Sequence, residues 1–210
     1  MSASGCQGRE GDSRCYVRTP VAVTAAFVDL LRTYFGSVHR SCLERGDFLW
    51  NEDPNVSHLY IADEFNWDLA NVGSRPALVV EVGDVESHGS ASTIGRSGLS
   101  GMTPSGGFRI SHLDRYSVTV QCIARNKLEC WSLAWETKTF LQSFAHEIGR
   151  AYRFSDLRVL GVRKPAPVQS DANKGYMSSS VGVSFNVSTT SSVETESLPA
   201  TNFGLDVKPS

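Results

Sequence analysis

The chain has 210 residues, 40% of them hydrophobic and 20% charged, with a formal net charge of -2. That balance is the make-up of one soluble domain with long loops or a tail, and it argues against a protein that wraps nucleic acid through a basic face. No apolar run approaches the roughly 20 residues that span a bilayer, so a soluble protein made in a cytoplasm, away from membranes, is expected.

Residues 1–18, opening MSASGCQGREGDSRC, are small and polar and lack the apolar stretch of a signal peptide. They read as a flexible N-terminal arm. Thr19 is then suited to cap a helix, with Pro20 at the first helical position, where its missing N–H is not needed. Val23, Phe27, Leu30, Leu31 and Tyr34 follow at helical spacing and Gly36 supplies a stop. This is a one-faced helix expected to lie on a sheet.

Between residues 47 and 68, aromatics alternate with turn residues, and only residues 58–62 read as a short strand. Phe48, Trp50, Phe65 and Trp67 are read as anchors of a long loop rather than as a base-stacking platform. The neighbouring acids Glu52, Asp53, Asp63, Glu64 and Asp68 would repel a phosphate backbone.

The text ALVVEVGDVE, residues 77–86, places Leu78, Val80 and Val82 on one face of a strand and Ala77, Val79 and Glu81 on the other. Apolar on both faces at first and acidic at its far end, this strand is expected to begin buried and to emerge. Residues 87–111 are dense in Gly and Ser, with hardly any apolar side chain to offset the entropy of ordering them. They read as a long mobile hairpin arm, a kind of segment used to reach a neighbouring subunit. The returning strand RYSVTVQCIA turns Tyr116, Val118, Val120, Cys122 and Ala124 one way and Ser117, Thr119 and Gln121 the other.

After Asn126 the period becomes helical. Cys130, Trp131, Ala134, Leu141, Phe144, Ala145 and Ile148 form a stripe along one predicted helix over residues 128–150, opposite Glu136, Lys138, Gln142 and Glu147. A short strand LRVLGV, a turn-rich connection over 164–175 and a strand alternating Val181, Val183, Phe185 and Val187 against small polar residues complete the pattern. The expected fold is α+β: a mixed, mainly antiparallel sheet with two helices packed on one face and a long hairpin arm. The domain is expected over residues 19–190, with a polar C-terminal tail over 191–210.

The usual catalytic constellations are missing from the text. GRSGLSG misplaces the glycines of a nucleophile elbow, and GMTPSGG lacks the ending of a phosphate loop. His146-Glu147 opens like a zinc helix motif, but Arg150 stands where the second histidine would be. The five cysteines, Cys6, Cys15, Cys42, Cys122 and Cys130, are odd in number and contain no C-x-x-C pair. Neither a disulfide framework nor a zinc knuckle is expected, and Cys122 and Cys130 read as small hydrophobes.

Glu81, Asp84 and Glu86 are the best candidates for metal chemistry, but alternation puts Glu81 on the face opposite the other two, and His88 replaces the lysine of a nuclease motif. A solvated strand end, or one paired with basic groups of a partner, is the favoured reading. A metal-dependent hydrolase using Asp84 and Glu86 with His88 or His112, and a peptide or carbohydrate module using Trp50, Phe65 and Trp67, are the alternatives. The expectation is a non-enzyme without cofactor or metal.

The helix near the N-terminus, the strand opening Arg75-Pro76-Ala77, the glycine-rich arm, RYSVTVQCIA, the helix text LECWSLAWETKTFLQSFA and the strands LRVLGV and VGVSFNV form a characteristic layout. Over residues 20–190 it resembles the tail terminator and neck proteins of tailed bacteriophages. The resemblance implies a virion structural protein made in the bacterial host cytoplasm. It would form a homo-oligomeric ring, a hexamer, at the head-proximal end of the tail, ending the tail tube and joining it to the head connector; an adaptor or stopper of the same neck is the alternative. The implied partners are further copies, the tail tube protein and the connector or stopper proteins, with genomic DNA passing through the lumen without specific binding. Subunit or partner contacts are expected at Glu81, Asp84, Glu86, Arg96, Arg109, Trp50, Phe65 and Trp67.

Overall fold

The computed structural model describes residues 19–37, 48–66, 75–87, 99–102, 108–168 and 175–193, with backbone alone at 87, 99–102, 108–112 and 189–193. The expected arm over 1–18 and the part of the expected tail beyond Val193 lie outside them.

Helix α1 (Pro20–Ser37) begins where the capping residues place it: the Ala22 amide donates to Thr19 Oγ1 at 3.2 Å and the Val23 amide to the Thr19 carbonyl at 2.9 Å. Its buried side, Val23, Phe27, Leu31 and Phe35, follows the i, i+4 spacing of one helix face. Strand β1 (Tyr60–Asp63) pairs in parallel with β2 (Ala77–Ser87), Tyr60 opposite Ala77 and Asp63 opposite Val80. Residues 77–80 of β2 are all buried and 83–86 all exposed, so the strand emerges as its composition requires.

Strands β3 (Leu99–Met102) and β4 (Phe108–Ala124) pair antiparallel, with Leu99 opposite Ile110 and Met102 opposite Phe108. Residues 99–102 and 108–111, expected as structureless arm, are therefore strand. Backbone pairing satisfies amides and carbonyls without calling on apolar side chains, which a Gly- and Ser-rich segment lacks. The rest of that expected arm, 88–98 and 103–107, lies outside the described residues.

Helix α2 (Lys127–Ser143) is capped by Asn126, whose Oδ1 accepts the Leu128 amide at 2.9 Å. Asn126→Ala is expected to cost ~1 kcal/mol, read as a lowered urea midpoint at unchanged slope. The single helix expected over 128–150 is broken at Phe144 (φ −104°, ψ 14°), and α3 (Ala145–Tyr152) resumes beyond it. The break rotates Phe144 out of the predicted apolar stripe, leaving it 47% exposed, while Leu133, Thr137 and Phe140 are buried in α2 and Ile148 in α3.

Strand β5 (Phe154–Val162) follows directly, with Arg153 in the left-handed region closing α3. Strand β6 (Ala166–Pro167) and β5 both pair antiparallel with β7 (Met177–Val193). Strand β7 is 17 residues long, about three times a typical strand, and runs through residues 191–193 of the expected tail. The sheet order is β1-β2-β4-β7-β5, with β3 on β4 and β6 on β7. This is the α+β fold expected, with a mixed, mostly antiparallel sheet and, among the described residues, three helices.

Two compact units divide the chain, one of Met1–Val85 with Arg115–Val187 and one of Glu86–Asp114 with Ser188–Ser210. The first contains all three helices and a continuous core: Phe27, Leu31 and Phe35 of α1 and Leu133 and Leu141 of α2 meet Leu78, Val80, Val118, Val120, Val183 and Phe185 of the sheet. Among the described residues the other face of that sheet carries a small cluster, Ala77, Val79 and Ile123, with Tyr60 and Tyr176 at its margin. In the second unit the described backbone is strand, with β3 paired to the start of β4.

Cys122 and Cys130 are free and buried, the Cys130 thiol donating to the Cys122 carbonyl at 3.2 Å. Burial pushes the Cys130 thiol up to about 11 from 9.0, and burial raises Cys122 further. Well below pH 9 both thiols are protonated in either state, so they add no pH dependence there. As pH rises from 9 towards 11 the unfolded chain loses these protons first, and stability falls. Equilibrium unfolding across that window should show the decline, reduced in a Cys122→Ala/Cys130→Ala variant.

Candidate functional site

The face of the sheet away from the helices forms a groove of about 640 Å³. Strands β2 and β4 form one wall with Glu81, Ser117, Thr119 and Gln121; the other is built by Leu160, Arg163, Lys164 and the serines 178–180. Alternation in β4 sends the small polar residues here because Val118, Val120 and Cys122 are taken by the core. Gln121 Nε2 donates to Glu81 Oε2 at 2.7 Å, fixing the carboxylate against the sheet, and Ser179 Oγ donates to the Arg163 carbonyl at 2.6 Å. Leu160 is 63% exposed at the rim, lying across Gly182, where an added Cβ would meet its side chain at 3.5 Å.

Chemically the described residues of the groove offer hydroxyls, an amide, the Glu81 carboxylate and two exposed cations, and none of them is a histidine or a cysteine. The groove is suited to holding a polar surface or an extended chain. Among its described residues no nucleophile is hydrogen-bonded to a base from which to derive a reaction.

The expected contact residues are spread out. Glu81 faces the groove, half-buried, whereas Asp84 and Glu86 are exposed along β2 and belong to its other face. Among the described residues no group of three histidine, cysteine, aspartate or glutamate side chains is placed to hold a metal ion. His88 lies outside the described residues, and His112 is described by backbone alone. Arg96 and Trp67 lie outside them too, and Arg109 is known only as a backbone position in β4.

Phe65 is 77% exposed, in a turn whose Asp63 carboxylate accepts the Phe65 and Asn66 amides at 3.0 and 2.7 Å. Trp50 is different: it packs against the core, lies within 3.4 Å of the place a Cβ on Gly36 would occupy, and has the Arg32 guanidinium 5.5 Å above its ring. Phe65 and Trp50 therefore do different work.

Sequence reasoning missed the groove's second wall. Lys164 reads as part of a turn-rich connection and residues 178–180 as the start of a strand, Arg163 lies between two elements, and nothing in their text says that they meet Glu81 and Gln121. It also missed the outer face of α2, where Leu128, Trp131 and Trp135 recur at helical spacing, Trp135 44% exposed with Lys138 Nζ 4.4 Å from its ring centroid. That signal was legible as periodicity, but the inward stripe of the same helix drew Trp131 to itself.

Among the described residues no helix is long and apolar enough to cross a membrane. No protein-family model matches the chain, and no curated protein matches it in sequence.

Proposed function

We propose that the chain is a structural subunit of a tailed-phage virion, a tail terminator or a neighbouring adaptor or stopper, that assembles with copies of itself into a ring of the neck. It would end the tail tube and join it to the head connector, without catalysis. The observation that carries this reading is the half-covered sheet. One face is sealed by helices over an aromatic and aliphatic core, while the other keeps a broad polar groove with an exposed leucine at its rim.

A sheet face left open in the subunit is suited to cover by a partner, and a ring requires two different patches that meet from copy to copy. The exposed acids of β2 and the cations Arg163 and Lys164 supply patches of opposite sign. The resemblance of the layout of elements to that of neck proteins supports the same reading. In a channel, a net charge of -2 suits a wall along which DNA slides, since strong phosphate contacts would retain it.

Light scattering of the purified protein, with negative-stain images of the protein mixed with tail tubes, tests the proposal. Rings in solution or at tube ends are expected. A strictly monomeric protein that leaves tube ends bare would overturn it.

A further inference from the structure

A second cavity lies between the C-terminal half of α1 and the loop leading into β1, with a volume of about 320 Å³. Arg32 reaches it from the helix and Arg75 from the segment before β2, and Trp50, Ser57 and Tyr60 complete the wall. The two guanidinium groups are held differently. Arg75 Nη1 donates to the Pro54 carbonyl at 2.7 Å and the Ser57 carbonyl at 3.4 Å, which ties the loop over 54–57 to the sheet. Arg32 donates one hydrogen bond, Nη2 to the Ile61 carbonyl at 3.1 Å, and lies over the Trp50 ring. Its Nε is buried and has no acceptor among the described residues.

A half-buried cation favours an anion, because burial has removed part of the water that would otherwise solvate it; since the Nε has no accessible surface, a ligand would meet the terminal nitrogens, with the Nε–H as a nearby reporter. The planar guanidinium fork matches a carboxylate in shape, and a flat aromatic wall fixes its orientation. A second cation on the same cavity raises the local positive potential. Glu52, at the exposed rim, opposes it.

We propose that this cavity is a carboxylate-binding pocket, with Arg32 as the principal ligand, Trp50 as the platform beneath it and Arg75 as the wall that holds the pocket open. The carboxylate comes either from an acidic side chain of another copy of the chain or from a small free acid. The pocket does not depend on the ring proposed above.

The test is a titration of the full chain with sodium acetate and with sodium chloride at equal ionic strength, followed through the Arg32 Nε–H resonance, assigned by its loss in Arg32→Lys. Acetate should move that resonance saturably and raise the melting temperature, and chloride should do neither. Arg32→Lys should weaken acetate binding, read from the concentration dependence of the melting shift, about tenfold or more through loss of the fork. Glu52→Gln should tighten acetate binding, and that variant leaves the pocket's own ligands in place.

If Arg32→Lys does not fold, Arg75→Gln provides the second comparison, with weakened acetate binding expected. Assembly state, measured in the same acetate series, separates the sources. Loss of oligomers on saturation identifies a carboxylate from a second copy, and unchanged assembly identifies a free acid. A resonance that acetate leaves unmoved in both the native chain and Glu52→Gln, or that chloride moves equally, would overturn the proposal.

Discussion

Phe185→Ala is expected to destabilise the subunit by ~3–5 kcal/mol, the largest effect of any single truncation considered. The side chain is 1% exposed and stacks on Phe154 at 4.1 Å, on Tyr116 at 5.7 Å and on Phe27 at 5.8 Å. It therefore joins β7 to β5, to β4 and to helix α1 at once. Truncation removes apolar contact from all three neighbours and leaves a cavity that aromatic rings held by separate elements cannot close. A domain of this kind is stable by about 5–15 kcal/mol in all, so the variant should melt far below the parent.

Urea unfolding followed by tryptophan fluorescence and far-ultraviolet dichroism gives the number. Phe185→Leu, which retains much of the volume, should lose about half as much or less. A loss of under about 1 kcal/mol for the alanine variant would be incompatible with the packing described.

Charge reversal at the exposed end of β2 tests assembly instead of folding. Asp84→Lys with Glu86→Lys should leave dichroism and melting temperature almost unchanged, because both side chains are exposed and surface substitutions of this kind fall within about 0.5 kcal/mol. In the proposed ring the same acids meet cations of another copy. Reversal there places like charges together at a cost of several kcal/mol, enough to move the dissociation constant by two decades or more at low salt.

Light scattering over a concentration series gives this directly. Rising salt should narrow the gap between variant and parent, as screening weakens both the attraction and the repulsion. A doubly reversed protein that assembles like the parent would remove these acids from the interface.

The two predictions concern residues whose surroundings were legible to different degrees. Phe185 sits in an alternating run, so its inward orientation follows from the two-residue period of a strand. The same holds for Val118, Val120 and Cys122 in β4, and for α1, where Thr19, Pro20 and the spacing of Val23, Phe27 and Leu31 mark both the start and the buried side. Such patterns are local: backbone geometry repeats every two or 3.6 residues, and water sorts side chains accordingly.

Strand β5 was less legible. LRVLGV shows the strand, but register shifts between Ser155 and Arg158 and between Val159 and Gly161, with Asp156 at φ 54°, reset which residues face the core. Phe154, just after a helix end, thereby becomes a core residue. The break at Phe144 is of the same kind. Helical periodicity runs straight through it, and the rotation that exposes the ring is visible only once α2 and α3 each pack against β5.

The sequence by itself determined the class of fold, the inward faces of α1, β2, β4 and β7, the burial of Cys122 and Cys130, and the emergence of β2 into an acidic end. Only the tertiary structure decided which distant segments became neighbours. It set Glu81 across a groove from Lys164 and Arg163, seated Arg32 beside Trp50 and Arg75, and left Phe65 in water while drawing Trp50 onto the core. The physical reason is that periodicity reports how a residue meets its own element, whereas a site depends on strand order and register. Those are set by the combined burial of every element, and no short stretch of sequence contains it.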